Sequence, residues 1–279
     1  MEERKIIFLD IDGTFTVPLE KPTSLAAKAV REAKKNGHKV LLCTGRNMPL
    51  ISRDILEVGF DGVVASAGSH IEVENKVILD SLLPEEGVQE CMDILHRFGV
   101  YCRIEDPYGM YMDLEMEDLV RRAVPNRQNS ELIRMKKELE TGIGIQPYAR
   151  YSRKGAYKVC FICMDLQDIE KTKPYLEDRF NYVIHPYAPD AASFNGELIR
   201  NGLDKGEGME RVCRYYGAEM SDTVAFGDSM NDYQMLACAG TAVAMGNACE
   251  KLQKIADRVC ESVEDDGVYY ELKRMGIIG

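Results

Sequence analysis

The chain is punctuated by short apolar runs that stop abruptly in polar or acidic residues. Lys5 to Leu9 leads into Asp10-Ile11-Asp12-Gly13-Thr14, and His38 to Cys43 leads into Thr44-Gly45-Arg46. Gly62 to Ser66 leads into Ala67-Gly68, and Thr223 to Phe226 into Gly227-Asp228-Ser229-Met230-Asn231-Asp232. Such runs read as buried strands. Between the first two, Leu25, Ala26, Ala29, Val30 and Ala33 recur at the spacing of an amphipathic helix, capped by Thr23 or Ser24 and ended by Gly37. Strand, helix, strand is a parallel right-handed unit, and ligands of such sheets gather at the carboxyl ends of the strands. Ser69 to Leu79 alternates and turns at Glu74-Asn75-Lys76, the pattern of a hairpin. A helix is expected over Met48 to Val58, and a final strand and helix over Thr241 to Met245 and Ala248 to Ile255.

From about Leu82 the pattern changes to that of an α+β unit. It predicts a helix over Glu85 to Phe98, strands at Val100 to Ile104 and Met110 to Asp113, and a charged helical region over Glu115 to Glu140. A strand at Tyr157 to Met164, a helix over Gln167 to Arg179 and a strand at Tyr182 to Pro186 follow. Thr141-Gly142-Ile143-Gly144 is a fragment of a dinucleotide loop without its strand or third glycine, so it reads as a plain connection. Cys160 and Cys163 have CxxC spacing inside an apolar run, which fits strand core better than a redox or zinc site. His185 reads as an ordinary strand-end histidine.

The chemistry lies at the strand ends. Residues i and i+2 of an extended chain face the same side, so Asp10 and Asp12 can converge on one reacting group, with Gly13 allowing the sharp turn that follows. A cation on Asp10 would keep it ionised and nucleophilic, and the like charge would push Asp12 toward the protonated form of a general acid. An acidic turn is the plain alternative. A calcium loop fails, because glycine directly follows Asp12 and Lys21 stands where the bidentate glutamate belongs. Thr44 belongs beside Asp10, its hydroxyl and adjacent amides suited to a phosphate oxygen or to capping the next helix. Asp204 and Glu207 have capping-box spacing before the stripe Met209, Val212, Cys213 and Tyr216, which puts Lys205 at a helix start. A cation there opposes the helix dipole by ~0.3 to 1 kcal/mol, a cost that a bridging phosphate would reverse. Asp228 is placed to share a hard cation with Asp10 in the carboxylate and water ligation that magnesium prefers. Asn231 could bond a phosphoryl group or a ligand water, and Asp232 could orient Lys205. Together these are parts for phosphoryl transfer through an aspartyl-phosphate.

Composition narrows the partners. At 279 residues two domains, or one with a large insertion, are expected. A net charge of −11 argues against nucleic acid or an anionic membrane as the main partner. The chain starts with no signal-peptide pattern and holds no run of transmembrane length, so a cytoplasmic protein is expected. The nine cysteines lie mostly in apolar runs and are expected reduced.

The four strand-end and helix-start motifs resemble those of the haloacid dehalogenase (HAD) superfamily. Met245-Gly246-Asn247-Ala248, Ala256-Asp257 and Glu264-Asp265-Asp266-Gly267-Val268 resemble the Cof-like subclass IIB phosphatases. The resemblance implies an α/β fold with a Rossmann-like parallel-sheet core over 1–81 and 192–279 and an inserted α+β cap over 82–191. Hinges are expected near Ser81 to Pro84 and Pro189 to Ser193. It further implies that Asp10 attacks phosphorus, that Asp12 protonates the leaving oxygen and later activates water, and that Thr44 and Lys205 hold the phosphoryl group, with Gly45, Arg46 and Asn231 binding substrate. Mg²⁺ would sit on the Asp10 carboxylate, the Asp12 carbonyl and Asp228, with Asp232 in support. Two departures stand out. Ala67-Gly68 replaces the Asn-Gly common in such proteins, and Phe15 follows Thr14 where leucine is commoner. The expected activity is hydrolysis of a small phosphate monoester, with sugar phosphates ahead of pyridoxal phosphate, flavin mononucleotide (FMN) or nucleotides, by a monomer or homodimer. A phosphosugar mutase on the same core and a non-catalytic phosphometabolite sensor are the alternatives.

Overall fold

The computed structural model describes residues 4–122, 130–141, 145–185, 191 and 193–279. The chain divides into two compact units, one of Met1–Arg46, Ile51–Asp80 and Asp204–Gly279, the other of Asn47–Leu50 and Ser81–Leu203. In the first unit β1 (Ile6–Leu9), α1 (Ser24–Lys35), β2 (Lys39–Cys43), α2 (Arg53–Leu56) and β3 (Gly62–Ala65) are followed by the hairpin β4 (His70–Val73) and β5 (Lys76–Asp80). The second unit contains α3 (Glu85–Arg97), β6 (Tyr101–Asp106), β7 (Gly109–Met112), α4 (Leu114–Arg122), α5 (Ser130–Thr141) and β8 (Ile145–Pro147). It continues through β9 (Lys158–Cys163), α6 (Leu166–Glu170), α7 (Lys173–Leu176), β10 (Phe180–Ile184) and β11 (Phe194–Arg200). The chain re-enters the first unit at α8 (Lys205–Tyr216), then β12 (Thr223–Gly227), α9 (Tyr233–Cys238), β13 (Thr241–Ala244), α10 (Glu250–Gln253), β14 (Arg258–Val259) and α11 (Gly267–Arg274).

The first unit's sheet has the order β14-β13-β12-β1-β2-β3-β4-β5, parallel from β14 to β3 and antiparallel through the hairpin. Ile6 to Leu9 lie in register with Thr223 to Phe226 on one side and Lys39 to Leu42 on the other. β1 is wholly buried, as a central strand covered on both faces must be. α1 lays Ala26, Ala29, Val30 and Ala33 inward, and Thr23 accepts the Ala26 amide at 3.0 Å as its N-cap.

The second unit's sheet has the order β10-β11-β9-β6-β7-β8, antiparallel except for β7 with β8. One of its clusters gathers Val88, Cys91 and Leu95 of α3 with Cys102, Ile104, Val159, Phe161 and Leu198. Another joins Met116, Val120, Met135 and Leu139 of α4 and α5 to Ile162.

Several expectations need correction. The return to the parallel sheet, expected at 191/192, falls at 203/204, because Phe194–Arg200 is a strand paired with both β9 and β10. The helix expected over Met48 to Val58 shrinks to a 3₁₀ turn at Met48–Leu50 and the short α2, because Ser52 between them has an extended backbone. The helix expected over Gln167 to Arg179 is split: the Thr172 hydroxyl bonds the Ile169 carbonyl at 2.7 Å, and Pro174 has no amide to continue the ladder. Residues 142–144 of the glycine-containing connection, Pro186, and residues 189, 190 and 192 of the second expected hinge lie outside the described residues.

Candidate active site

The order β12-β1-β2-β3 places four parallel strand ends side by side, so Asp228, Asp10, Thr44 and Ser66 each begin the loop after its strand. Asp10 is locked to the sheet by its amide, which donates to the Phe226 carbonyl at 3.1 Å. The chain then coils tightly. The Gly13 amide donates to the Thr16 carbonyl at 2.8 Å and the Thr16 amide to the Ile11 carbonyl at 2.9 Å. Gly13 is required twice over: its φ is +86°, and an added Cβ would come within 2.4 Å of Asp228 Oδ2.

Lys205 is the centre of the cluster. Its Nζ, in a side chain with no exposure, donates to Asp10 Oδ1 at 2.6 Å and Asp232 Oδ1 at 2.5 Å, with Asn231 Oδ1 at 3.5 Å. Asp204 caps α8 by accepting the Glu207 amide at 2.9 Å, which fixes the turn that carries Lys205. Gly68 lets that turn approach β3, since a Cβ there would meet the Asp204 carbonyl oxygen at 2.2 Å. Ser66 and Ala67 in the same bend have φ of 50° and 52°, a left-handed conformation that asparagine tolerates better than alanine. The Ala67 departure therefore falls on a strained position.

Asp232 uses both oxygens. While Oδ1 takes Lys205, Oδ2 accepts the amides of Asp228 and Ser229 at 3.0 and 3.1 Å. Asn231 Oδ1 accepts the Ser229 hydroxyl at 2.7 Å. Asp228 receives the Thr14 hydroxyl at 3.3 Å. Thr44 Oγ1 accepts the Arg46 amide at 3.1 Å, so it closes its own loop rather than capping a helix.

Arg46 behaves differently from expectation. Its Nε and Nη2 donate to the two oxygens of Asp12 at 2.7 and 2.6 Å, with both side chains buried. Asp12 is thus paired with a guanidinium as well as lying near the like charge of Asp10.

Burial pushes the Asp10 carboxyl up to about 8, with Lys205 opposing the rise and Asp232 and Asp12 adding to it. Burial, then Asp232 and Asp10, raise Asp228 well above the carboxylate range. Burial alone would lower the Lys205 ammonium, but Asp10 and Asp232 hold it well above its usual value. Four carboxyl groups, Asp10, Asp12, Asp228 and Asp232, stand here against two cations, Lys205 and Arg46. Oxygen donors of Asp10, Asp228 and Asp232 lie within 4.8 Å of one another. An all-oxygen cluster with more carboxyl groups than cations, whose ionised form burial disfavours until a cation arrives, fits a hard divalent ion. Asp232, saturated by the lysine and two amides, is the least able of the three to serve it.

All the site residues foreseen from sequence therefore fall in one unit, at one edge of its sheet. Sequence reasoning missed Thr14 as a partner of Asp228, Ser229 as a partner of Asn231, and Asn247, whose side-chain amide donates to the Gly13 carbonyl at 2.8 Å. The signal for Asn247 was its place just after β13, one more parallel strand end.

This sheet and this set of carboxylates and lysine define a phosphoryl-transfer fold, and the sequence agrees over residues 7–272: the chain belongs to the haloacid dehalogenase-like hydrolase family and is a phosphatase of the HAD type. It is 28% identical over 279 residues to YkrA of Bacillus subtilis (strain 168), a protein only provisionally named a phosphatase, covering 99% of each chain. It is 26% identical to YitU of the same organism, named a 5-amino-6-(5-phospho-D-ribitylamino)uracil phosphatase, covering 96% of each. Among solved structures, the HAD phosphatase BT1666 of Bacteroides thetaiotaomicron aligns with a TM-score of 0.78 at 25% identity, covering 99% of this chain and 96% of that one.

Proposed function

We propose that the protein is a Mg²⁺-dependent phosphomonoester hydrolase that acts on a small phosphorylated metabolite through an aspartyl-phosphate on Asp10. The observation that carries this reading is the Lys205 clamp: the ammonium holds Oδ1 of Asp10, which leaves Oδ2 as the oxygen for attack. Oδ2 attacks phosphorus and the ester P–O bond breaks. Asp12, released by Arg46, gives its proton to the departing oxygen, then takes one from the water that hydrolyses the acyl phosphate. Lys205, Asn231 and the Thr44 loop hold the phosphoryl oxygens, and Asp232 keeps Lys205 in place. Asp10, the Asp12 carbonyl and Asp228 would hold Mg²⁺, which neutralises charge on the phosphoryl group and keeps Asp10 ionised. The second unit would act as the cap that selects the leaving group.

Sugar phosphates remain the first substrate class. The substrate named for YitU is a 5-phosphoribityl compound, so phosphorylated sugars and sugar alcohols lead. FMN shares the phosphoribityl group and ranks above pyridoxal phosphate and nucleotides on that ground. The test is phosphate release from p-nitrophenyl phosphate and from a panel of these esters, with and without Mg²⁺, by wild type and Asp10→Asn. Magnesium-dependent release that the substitution abolishes is the expected result. Equal activity in Asp10→Asn would overturn the nucleophile assignment.

A further inference from the structure

In the second unit three side chains of different chemistry point at one spot. His96 lies in the last turn of α3, Cys102 near the start of β6, and Asp113 between β7 and α4. His96 Nε2 is 2.7 Å from Asp113 Oδ2 and 3.5 Å from Cys102 Sγ, and Sγ is 3.7 Å from the same carboxylate oxygen. The backbone holds two of the three in place: the Cys102 amide donates to Asp113 Oδ2 at 3.2 Å and the Asp113 amide to the Cys102 carbonyl at 3.4 Å. Gly99, with φ +72°, makes the turn that brings β6 back beneath the end of α3. Imidazole, thiol and amide thus all crowd a single oxygen of Asp113.

We propose that His96, Cys102 and Asp113 form a binding site for a divalent cation of the zinc class. The donor set of nitrogen, sulfur and oxygen is the one such borderline ions take, and three protein ligands leave a fourth position for water. Metal–ligand bonds of about 2.0 to 2.3 Å in a tetrahedron put neighbouring donor atoms roughly 3.3 to 3.6 Å apart. The two edges to sulfur already have about that length, and only the His96 to Asp113 edge must open, by about half an ångström. The imidazole can move, because its side chain is 39% exposed, and that same exposure is the way in for the ion. Asp93 on α3 and Glu115 on α4 add negative charge around His96, which favours a cation. On binding, the Cys102 thiol gives its proton to solvent and the imidazole takes the neutral Nδ1–H form, so that sulfur and Nε2 turn lone pairs to the ion and a bond from the ion to Asp113 replaces the two hydrogen bonds they now make to it. The ion would pin the end of α3, the first residues of β6 and the β7–α4 junction together.

Cobalt(II) is the probe. Chelator-treated protein is titrated with Co²⁺ and then Zn²⁺, following the near-ultraviolet thiolate-to-metal absorption that Mg²⁺ at an all-oxygen site cannot produce. With excess Mg²⁺ present to hold the Asp10 cluster, the expected result is a thiolate band that saturates at one Co²⁺ per chain, is displaced by Zn²⁺, and disappears in Cys102→Ser. His96→Ala, at a partly exposed helix end where folding is not at risk, should weaken Co²⁺ binding at least tenfold. Absence of the band in folded wild type, its persistence in Cys102→Ser, or unchanged affinity in His96→Ala would overturn the site. Phosphatase activity is not the readout, so this result and the Asp10 result fail independently.

Discussion

Each unit buries a lysine between two carboxylates, and the two clusters do opposite work. In the parallel sheet Lys205 joins Asp10 and Asp232 at the strand ends, with Asp228 and Asp12 close by, so that carboxyl groups outnumber cations. In the antiparallel sheet Lys158, the first residue of β9, joins Glu197 at 2.5 Å and Glu105 at 3.7 Å, and Arg103 donates to Glu105 at 2.6 Å. There Arg134 also pairs with Glu138 at 2.9 Å, so among the described residues three cations face three carboxylates. A balanced buried network specifies packing. An unbalanced one needs a ligand to complete it, and the location of the imbalance is what singles out the Asp10 edge as the reactive one.

The largest effect expected is on turnover. Asp10→Asn should lower the rate of phosphate release on the order of 10⁴-fold or more while leaving the fold intact, as measured by steady-state kinetics alongside circular dichroism. Lysine-to-methionine substitution at each centre tests the comparison directly. Lys158→Met leaves Glu105 and Glu197 buried without their ammonium and should cost about 3 to 5 kcal/mol in urea denaturation. Lys205→Met should cost a similar amount in chelator but distinctly less in Mg²⁺, where the cation takes over the lost charge. If Mg²⁺ made no difference to Lys205→Met, the unbalanced cluster would not be a cation site.

A weaker test uses pH. With burial holding the Asp10 carboxyl up to about 8 against an unfolded value of 3.8, the folded chain binds more protons than the unfolded chain between those limits. Stability of the metal-free protein should therefore fall as pH rises from about 4 to about 8, and Mg²⁺ should flatten that slope. Thermal melts across the range, with and without the ion, would show it. The smallest effect is at the helix that carries Lys205. Asp204→Ala removes an N-cap worth about 1 kcal/mol and should raise KM for phosphate esters by displacing the lysine, with only a slight fall in melting temperature. An unchanged KM would mean that Gly68 and the β3 bend alone set the position of α8.

The reactive edge was readable because a buried strand ending in a carboxylate is anomalous: Asp10, Thr44 and Asp228 interrupt apolar runs at positions that a parallel sheet brings together. What the pattern hid depended on side-chain direction or on long-range pairing. The Arg46 to Asp12 fork turns on where one flexible guanidinium points, which no spacing encodes. β11 escaped because Asn195-Gly196 looks like a turn. It is a strand because its neighbours β9 and β10 supply the hydrogen bonds, and an added Cβ at Gly196 would sit 2.5 Å from the Phe161 ring. Lys158 and Glu197 look like surface residues until the register puts them on one buried face. His96, Cys102 and Asp113 have no motif spacing at all, and only the turn at Gly99 and the β6–β7 pairing unite them.

The order of strands also sets an order of events during synthesis. The second unit is almost one continuous stretch, Ser81–Leu203, and its last strand, β11, is complete before any of β12 has been made. β1, by contrast, needs Thr223 to Phe226 as its partner, the widest separation in sequence between any two neighbouring strands of its sheet. On the ribosome the later-numbered half of the catalytic sheet therefore arrives after the inserted unit is whole. Synthesis completes the sequence of the insertion while Asp10 still lacks the strand that will sit beside it, so the nucleophile's site is assembled last although the nucleophile is written first.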